Sequence, residues 1–496
     1  MRRPRTPRPR TPRPRTPLSE TSLWRDRPFR LTWTSGAVSQ FGDRISEVAV
    51  PLIAVGLLDA SAAQVALLTA LAWAPNLLGI VLGAWVDGRR RKRRLLIVTD
   101  LVRAGVLLSL PLAYLWGTVT LGQLYAVALL TGLAGVVAGC AWQPLFARLV
   151  PPSSYVDANS KFSAARSASF VAAPAVGGGL VQALSAPVTV VVDALSFLAS
   201  ALLLGRITVD EPAPPVRTGA AVPALLRDAR DGLAFVVRHP VLRASLGCCT
   251  TVNFFTFLAG TGMVVLFADR VLHLSPGAIG LTLGIGATGS LVGALTAPRL
   301  SRRIGVGRAV AVGAVLFPAP YALAAVAGGP AWAAAGCLGG AYFLVGLGVM
   351  WFDVNLNSLQ TAVTPDGLRS RVTGAFSTVN YGVRPLGALA GGALATAFGL
   401  RATLVTVAVG GVLSVLWLLP SPIPGIRSLA ELPAEPTPRT AGLGPLDNPV
   451  QAGFAAQRDA DVELGDRDLQ TDRTGEIDRP PHDSAITHRA EPGPRV

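Results

Sequence analysis

Residues 83–94 read Gly83-Ala-Trp-Val-Asp87-Gly-Arg-Arg-Arg91-Lys-Arg-Arg94, and six consecutive cations in this stretch separate two long apolar runs. Residues 45–85 before the cations and residues 95–116 after them carry few charges. The simplest interpretation is a very short loop between two transmembrane helices. Short loops rich in Lys and Arg resist translocation across a membrane, so we expect this loop on the cytoplasmic side.

The composition is typical of a polytopic membrane protein. Of the 496 residues, 51% are hydrophobic and 15% are charged, which is too apolar for soluble domains and too long for a single anchor. The formal net charge of +15 lies mainly in the N-terminal arm and in short loops. The positive-inside bias explains that charge without a nucleic-acid partner. The four cysteines lie in apolar runs without metal-ligand spacing, so we expect no metal site.

Twelve apolar runs are long enough to cross a bilayer, whose hydrocarbon core of about 30 Å needs about 20 residues of helix. Six lie in the first half of the chain, at approximately 31–57, 64–86, 95–116, 121–147, 161–184 and 187–206. Six lie in the second half, at approximately 241–268, 276–299, 308–327, 331–358, 371–398 and 400–419. The intervening loops alternate between a basic set and a nearly uncharged set, which predicts that both termini are cytoplasmic.

These spans divide the chain into five parts. Residues 1–30 repeat arginine and proline and predict a disordered, basic cytoplasmic arm. Residues 31–206 and 241–419 predict two six-helix bundles in the lipid bilayer. Between them, residues 207–240 predict a cytoplasmic linker whose amphipathic helix lies on the inner membrane surface. Residues 420–496 are rich in Pro, Asp, Glu and Arg and predict a disordered cytoplasmic tail.

The two bundles carry signs of an internal duplication. Gly79-xxx-Gly83 in the second span recurs as Gly289-xxx-Gly293 in the eighth, at an offset of 210 residues. Pro174 in the fifth span recurs in a similar way as Pro385 in the eleventh. A six-helix unit repeated in parallel is typical of transporter folds. We therefore predict an all-α membrane protein with two pseudo-symmetric bundles.

Ionisable side chains inside membrane spans are costly, so they are candidates for function. The densest group is in the first span, where Asp43 and Glu47 share one helix face and Arg44 lies beside them. Repulsion and desolvation both disfavour two charges in such a pair, which predicts a site that exchanges protons. The alternative is a structural ion pair between Arg44 and one of the acids near the membrane surface.

Four further charged residues lie in other spans. Asp193 in the sixth span either titrates or simply forms a hydrogen bond to a neighbouring helix, and the second role is favoured. Asp353 in the tenth span, Arg166 in the fifth and Arg384 in the eleventh either line a polar path or hold helices together. We include all four among the candidates for the substrate cavity and for proton coupling.

No motif for catalysis or energy-rich cofactors is present. Gly284-Ile-Gly286-Ala-Thr-Gly289 matches the dinucleotide fingerprint formally, but it lies in an apolar span without a preceding strand or an acidic ribose partner. No Walker loop, zincin motif or nucleophile elbow appears. We therefore predict a protein that is not an enzyme and needs no cofactor, so that any uphill transport is driven by an ion gradient.

The loop after the second span resembles the signature of the major facilitator superfamily, with Gly83, Asp87 and Arg91 in the expected places and Gly88 in place of a usual arginine. Other landmarks resemble its bacterial branch of macrolide-efflux proteins and enterobactin-type siderophore exporters. They include Asp100-Leu-Val-Arg103, Pro174 with Gly177-Gly178, and Asp193-Ala-Leu-Ser-Phe197. The resemblance covers about residues 31–420.

The resemblance implies two six-helix bundles around a cavity that opens alternately to each side of the membrane. It also implies that Asp87 lies near the start of the eleventh helix and latches one state, as a carboxylate near a helix N-terminus would. With Gly83 and Arg91 we assign Asp87 to a cytoplasmic gate. Asp100 and Arg103, one turn apart near the start of the third span, are expected to form a local pair there.

Together these features predict a monomeric proton antiporter of the cell membrane. Its substrates would be amphipathic small molecules resembling drugs or macrolides, exported by alternating access. One alternative is a dedicated exporter of a single endogenous metabolite such as a siderophore. An alternative of another class is a membrane receptor or scaffold that transports nothing.

Overall fold

A computed structural model of the chain describes residues 23–151, 154–209, 211, 221–365 and 368–428. All regular structure in these ranges is helical, because a segment in lipid must satisfy its backbone hydrogen bonds internally and a single helix does so. The predicted all-α fold is confirmed. Most of the predicted arm and tail, namely residues 1–22 and 429–496, lies outside the described residues.

Seven helices form the N-terminal half and eight form the C-terminal half, with one linker helix between them. The N-terminal half contains α1 (Arg27–Leu52), α2 (Ala62–Trp73), α3 (Gly79–Asp87), α4 (Lys92–Leu115), α5 (Leu121–Leu149), α6 (Tyr155–Leu184) and α7 (Ala186–Gly205). The linker helix is α8 (Ala221–Arg238). The C-terminal half contains α9 (Pro240–Phe257), α10 (Thr261–Arg270), α11 (Pro276–Ile304), α12 (Val306–Leu316), α13 (Pro320–Ala325), α14 (Ala331–Val363), α15 (Arg369–Phe398) and α16 (Leu400–Val412).

Ten stretches of these helices are long and apolar enough to cross a membrane. Three of them are broken spans that join two helices each: α2 with α3, α9 with α10, and α12 with α13. In the first of these, Pro75 lies in a 3-10 turn, because proline cannot donate the backbone bond that a continuous helix needs. The helices α1 and α15, with 26 and 30 residues, are also long enough but carry more charge. The predicted count of twelve spans is consistent with this set.

The folded part of the chain extends beyond the predicted spans at both ends. Asp26 caps α1 by accepting a hydrogen bond from the backbone N–H of Phe29 at 3.2 Å, and a short 3-10 turn containing the buried Leu23 precedes it. At the other end, the first nine residues of the predicted tail are folded, in contrast to the prediction. Ile423 is fully buried, because its apolar side chain packs in one cluster with residues of α12 and α14.

The helix connections define two ends of the molecule. The basic end carries the loop of Arg89–Arg94 and the α11–α12 turn at Gly305, and the neutral end carries the turns at Ser185 and Gly399. Ser185 between α6 and α7 has φ 94°, and Gly399 between α15 and α16 has φ 85°. These one-residue turns occupy matching places in the two halves, which supports the predicted duplication.

Ser185 and Gly399 differ in the backbone strain that the positive φ of this turn imposes. A residue with a Cβ is strained at such a φ, whereas glycine is not. The hydroxyl of Ser185 is buried and has no hydrogen-bond partner among the described residues. The first half therefore carries strain in a turn that the second half makes without it.

The two halves meet at the neutral end through α6 with α11, α2 with α15 and α1 with α10. Gly178 and Gly280 allow the closest approach: a Cβ on Gly178 would lie 2.7 Å from the Cα of Gly280 and 2.5 Å from the carbonyl oxygen of Pro276. Asp59 and Arg270 add an ion pair between the halves. Small residues at such a contact let helix backbones touch, and this end of the molecule is closed.

Glycine pairs at four-residue spacing have different neighbours in the two halves. Gly289 packs on α14, where an added Cβ would lie 2.0 Å from the carbonyl oxygen of Phe343. Gly79 and Gly139 have no atom within 4 Å of such a Cβ. Gly289 therefore lets two helix backbones approach closely, whereas Gly79 and Gly139 leave open space and line the central cavity described below.

Two segments hold the basic end together by capping helices. The backbone N–H groups of Lys92 and Arg93 at the start of α4 both donate to the carboxylate of Glu211 in the linker. The N–H groups of Val306 and Gly307 at the start of α12 donate to the carbonyl oxygens of Arg427 and Ile426, at 3.2 and 3.0 Å. Both contacts satisfy N–H groups that a helix leaves without an internal partner.

The linker forms the predicted helix as α8, which packs on α15 and also contacts α3. Gly232 lies against the backbone of Arg371, where an added Cβ would meet the carbonyl oxygen at 2.5 Å. Val236 is fully buried in a cluster with Val372 and Phe376. Protein therefore covers this part of the apolar face, and a location on the membrane surface stays a prediction.

Candidate functional site

A central cavity of about 1240 Å³ lies between the two halves. It extends from the level of Glu47 and Trp73 to Asp87 and Arg371, which lie at the basic end of α3 and α15. Because the halves touch at the neutral end, the cavity is accessible from the basic end. Its walls combine aromatic rings with charged groups, and the charged residues on them are Asp43, Arg44, Glu47, Asp87, Asp100, Arg103, Arg166 and Arg371.

Asp43 and Glu47 both line this cavity from one face of α1, but each pairs with a different arginine. Glu47 forms an ion pair of 2.5 Å with Arg44, whose guanidinium also lies over the ring of Phe170. The other carboxylate oxygen of Glu47 accepts a hydrogen bond from Thr261 of α10 at 3.5 Å. The structural ion pair that the sequence left as an alternative is therefore present, and Glu47 links the two halves.

Asp43 pairs with Arg103 of α4, with 3.4 Å between Nη1 and Oδ2. Gly135 of α5 makes room for this arginine, because an added Cβ would lie 2.3 Å from its Nη2 atom. The guanidinium also lies over the ring of Phe197. The prediction that Arg103 pairs with Asp100 is therefore wrong: a longer-range partner on α1 is better placed than the neighbour one turn away.

Asp100 joins three helices through hydroxyl groups. Ser200 of α7 donates to its Oδ2 atom at 2.6 Å, and the Oγ atoms of Ser200 and Ser35 are 2.7 Å apart. Asp100 is buried and lies more than two turns into α4, beside the cavity. It was predicted at the cytoplasmic gate with Arg103, but both residues belong to the wall of the central cavity, because α4 begins at Lys92, before the predicted start at residue 95, and Asp100 therefore lies deeper in the helix.

Asp193 of α7 is 1% exposed and does not line the central cavity. Its carboxylate accepts hydrogen bonds from Ser46 of α1 at 2.5 Å and from Ser196 of α7 at 3.2 Å. The close approach of α7 to α1 depends on Gly42, where an added Cβ would lie 2.4 Å from Oδ1 of Asp193. The favoured prediction, a hydrogen bond to a neighbouring helix, matches this geometry.

The sequence prediction missed the serines that bind these acids. Ser196 and Ser200 stand three and seven residues after Asp193 and therefore share its helix face. Hydroxyl groups at this spacing in an apolar span were a signal for a polar face on α7. Ser35 and Ser46 lie eleven residues apart on α1, which is about three helical turns, so they also share a face, but nothing in the sequence shows that the two faces meet.

Asp353 and Arg384 lie in a second, smaller cavity of about 320 Å³ within the C-terminal half. Asn253 and Asn380 also line it, and Ser377 and Tyr381 line both cavities. The structure thus separates Asp353 and Arg384 from the acids of α1. Arg166 remains with the first group, on the wall of the central cavity.

The predicted gate residues lie at or near the basic end. Gly83 and Asp87 line the mouth of the central cavity together with Arg371, which is in the first turn of α15. Arg91 is exposed at the position that precedes α4. Among the described residues, no cluster of His, Cys, Asp and Glu is arranged to hold a metal ion.

Comparison with known proteins identifies relatives along most of the chain. The profile of the Major Facilitator Superfamily matches residues 32–388. The multidrug efflux pump Tap of Mycobacterium bovis is 27% identical over 422 residues, which cover 81% of this chain and 94% of that protein. Tap of Mycolicibacterium fortuitum is 27% identical over 348 residues, which cover 66% of this chain and 79% of that protein.

Among solved structures, a bacterial homologue of the iron transporter ferroportin in an inward-facing state is similar, with a TM-score of 0.58 and 20% sequence identity. The similarity covers 80% of this chain and 100% of that chain. At this level of identity the likeness shows the fold alone. The match of the family profile to 357 residues shows more: this chain belongs to the Major Facilitator Superfamily and is a membrane transporter, not an enzyme.

Proposed function

We propose that this transporter exports amphipathic organic compounds in exchange for protons, by alternating access to its central cavity. The observation that carries the proposal is the pair of carboxylates Asp43 and Asp100 on the wall of that cavity, where Asp43 forms an ion pair with Arg103. The names of the relatives as multidrug efflux pumps support export of drug-like compounds.

The charge distribution supports the orientation in the membrane. Short loops rich in Lys and Arg stay on the cytoplasmic side, so the basic end faces the cytoplasm of a cell whose membrane holds this chain. The state described here is then open to the cytoplasm and closed outside. Both termini would lie in the cytoplasm, and a monomer would be sufficient because one chain supplies the whole cavity.

The cavity walls suggest the kind of substrate. Trp73, Trp142 and Tyr381 offer flat apolar surfaces, and Asp43 and Glu47 lie among them with carboxylate groups. Aromatic faces attract cations as well as apolar rings, and apolar pockets with a few polar groups are typical of small-molecule sites. Amphipathic compounds with a cationic group fit this combination best.

Competition between substrate and proton for Asp43 would couple substrate export to proton import. A cationic substrate and a proton both neutralise this carboxylate, so each would displace the other and weaken the attraction to Arg103. Such exclusion is what an antiporter needs, because a site that held both ligands together would move them in the same direction.

Glu47 would link occupancy to the change of state. Its carboxylate accepts a hydrogen bond from Thr261 across the two halves, next to the closed neutral end. Neutralising it would weaken this contact and favour opening there. At the opposite end, Asp87 would latch the outward-facing state when it approaches the start of α15, which is positively polarised by its exposed N–H groups.

Transport by inside-out vesicles with an imposed proton gradient tests the proposal. Uptake of a cationic dye, a macrolide and a siderophore would be measured for the native protein and for Asp43→Asn and Glu47→Gln. The matched control is Asp157→Asn, because Asp157 is an exposed acid that pairs with Lys161 at the start of α6 and lies outside both cavities.

We expect gradient-driven uptake of the dye or the macrolide, its loss in Asp43→Asn and normal uptake in Asp157→Asn. Equal uptake in all variants would remove these acids from the mechanism. Uptake of the siderophore alone would favour a dedicated exporter of one metabolite. No uptake of any probe by well-folded protein would refute proton-driven export of these classes of compound.

A further inference from the structure

The guanidinium of Arg384 on α15 lies among three aromatic rings, which form an aromatic cage and come from both halves of the molecule. Its central carbon lies 4.4 Å from the ring centre of Trp73, 4.8 Å from that of Phe257 and 4.6 Å from that of Tyr381. Trp73 belongs to the N-terminal half, whereas Phe257 belongs to the C-terminal half. Stacking on ring faces holds the plane of the guanidinium but leaves its edge free to donate hydrogen bonds.

Only part of that edge donates a hydrogen bond among the described residues. The Nε atom of Arg384 donates to Oδ1 of Asn253 at 3.2 Å. Among the described residues, no carboxylate forms an ion pair with this guanidinium. An arginine presents five N–H donors in a fork that matches a carboxylate, and most of these donors have no carboxylate partner among the residues that the structure describes.

The donors lie beside a cavity that can hold a small organic group. The cavity of about 320 Å³ in the C-terminal half is lined by the amide side chains of Asn253, Asn357 and Asn380, and its charged lining residues are Arg384, Arg369 and Asp353. It adjoins the central cavity, because Ser377 and Tyr381 line both. A ligand in the central cavity could therefore extend one group into it.

We propose that this second cavity is a binding site for a single carboxylate or similar monovalent anion, held by Arg384. Asp353 in the same cavity repels a dianion and attracts an ammonium group. The site would therefore take a monoanion or, better, a zwitterion. For its role in transport the inference rests on the proposed function: it adds zwitterionic compounds with a carboxylate to the expected substrates.

The anion has two possible sources, an organic carboxylate and inorganic chloride. Benzoate is a suitable probe, because it pairs one carboxylate with a ring that can contact the aromatic cage. Its affinity for the purified full-length protein would be measured by isothermal titration calorimetry in a chloride-free buffer. Chloride would then be added as a competitor, and 4-(aminomethyl)benzoate would be compared as the zwitterion.

Two variants test the role of Arg384. Arg384→Gln removes the charge. Asn253→Asp keeps the shape of the cavity but supplies a carboxylate that forms an ion pair with the guanidinium of Arg384. The control is Arg302→Gln, because Arg302 is an exposed cation at the end of α11 and lines neither cavity. A charge-assisted contact of this kind typically changes affinity by at least about tenfold.

We expect benzoate to bind the native protein and Arg302→Gln equally, and to bind at least about tenfold more weakly to both test variants. The zwitterion should bind more tightly than benzoate, and Asp353→Asn should remove that difference. Competition by chloride would identify the inorganic anion as the occupant, and its absence would identify the organic carboxylate.

Benzoate that fails to bind the native protein, or binds the native protein and both test variants alike, would overturn the inference. Equal binding is the result expected if Arg384 only packs the helices. Neither result depends on a proton gradient. Loss of proton-driven dye uptake with intact benzoate binding would count against the proposed function alone.

Discussion

Replacing Gly178 by alanine should open the neutral end of this transporter. The new Cβ would lie 2.5 Å from the carbonyl oxygen of Pro276 and 2.7 Å from the Cα of Gly280. These are backbone atoms, so no side chain can rotate away. To restore an ordinary contact of 3.4 Å to that oxygen, α6 and α11 would have to separate by about 0.9 Å.

Overpacking of this kind costs about 1–3 kcal/mol. The cost falls on the state in which the neutral end is closed, because the contact is absent when the two halves separate there. The equilibrium should therefore move toward the outward-open state by roughly 5- to 150-fold. Gly179→Ala is the matched control, since no atom lies within 4 Å of a Cβ at that position and both changes gain the same helix propensity.

Electron–electron double resonance between two spin labels would report the populations. Leu184→Cys on α6 and Trp332→Cys on α14 place exposed labels on different halves at the neutral end. Cys140, Cys249 and Cys337 would be replaced by serine, whereas the fully buried thiol of Cys248 is protected from labelling. Gly178→Ala should increase the population at long distance, and Gly179→Ala should not.

A distance distribution that is the same for Gly178→Ala and Gly179→Ala would refute the reasoning. It would mean either that the helices relax elsewhere at little cost or that the two halves do not separate at this contact. The paired change Gly178→Ala with Gly280→Ala gives a further check, because the two sites form one contact and their effects should not be additive.

Three other outcomes are expected. Ser185→Gly should raise the midpoint of thermal unfolding by relieving a positive φ, worth about 1 kcal/mol or more, and Gly399→Ala should lower it in a parallel scan. Gly42→Ala should abolish export and destabilise the fold, because its Cβ would meet Asp193; a variant that unfolds and transports like the native protein would contradict this packing. Glu211→Ala should cost about 0.5–2 kcal/mol by removing the cap of α4, as measured by chemical denaturation.

The helices and their division into two halves were predictable from the sequence because the physical constraint is local. Each span must bury about 20 residues in lipid and satisfy its own backbone, so hydropathy alone marks it. The offset of 210 residues between related glycine pairs indicated the duplication. The first-span acids were also detectable, since charge inside an apolar run is conspicuous.

The partners of those acids were decided by tertiary structure. Arg103 is 60 residues from Asp43 in the sequence, and Ser46 is 147 residues from Asp193. These pairs depend on how the helices are rotated and how closely they approach, which Gly42 and Gly135 control by leaving no side chain in the way.

The aromatic cage around Arg384 could not be predicted from the sequence either. Its rings come from α2, α9 and α15, and no spacing within any one helix predicts that they meet. The closed neutral end and the open basic end likewise follow from contacts between the two halves. The sequence thus specifies which segments cross the membrane, because lipid acts on each helix separately, whereas the site depends on packing between helices that are distant in the chain.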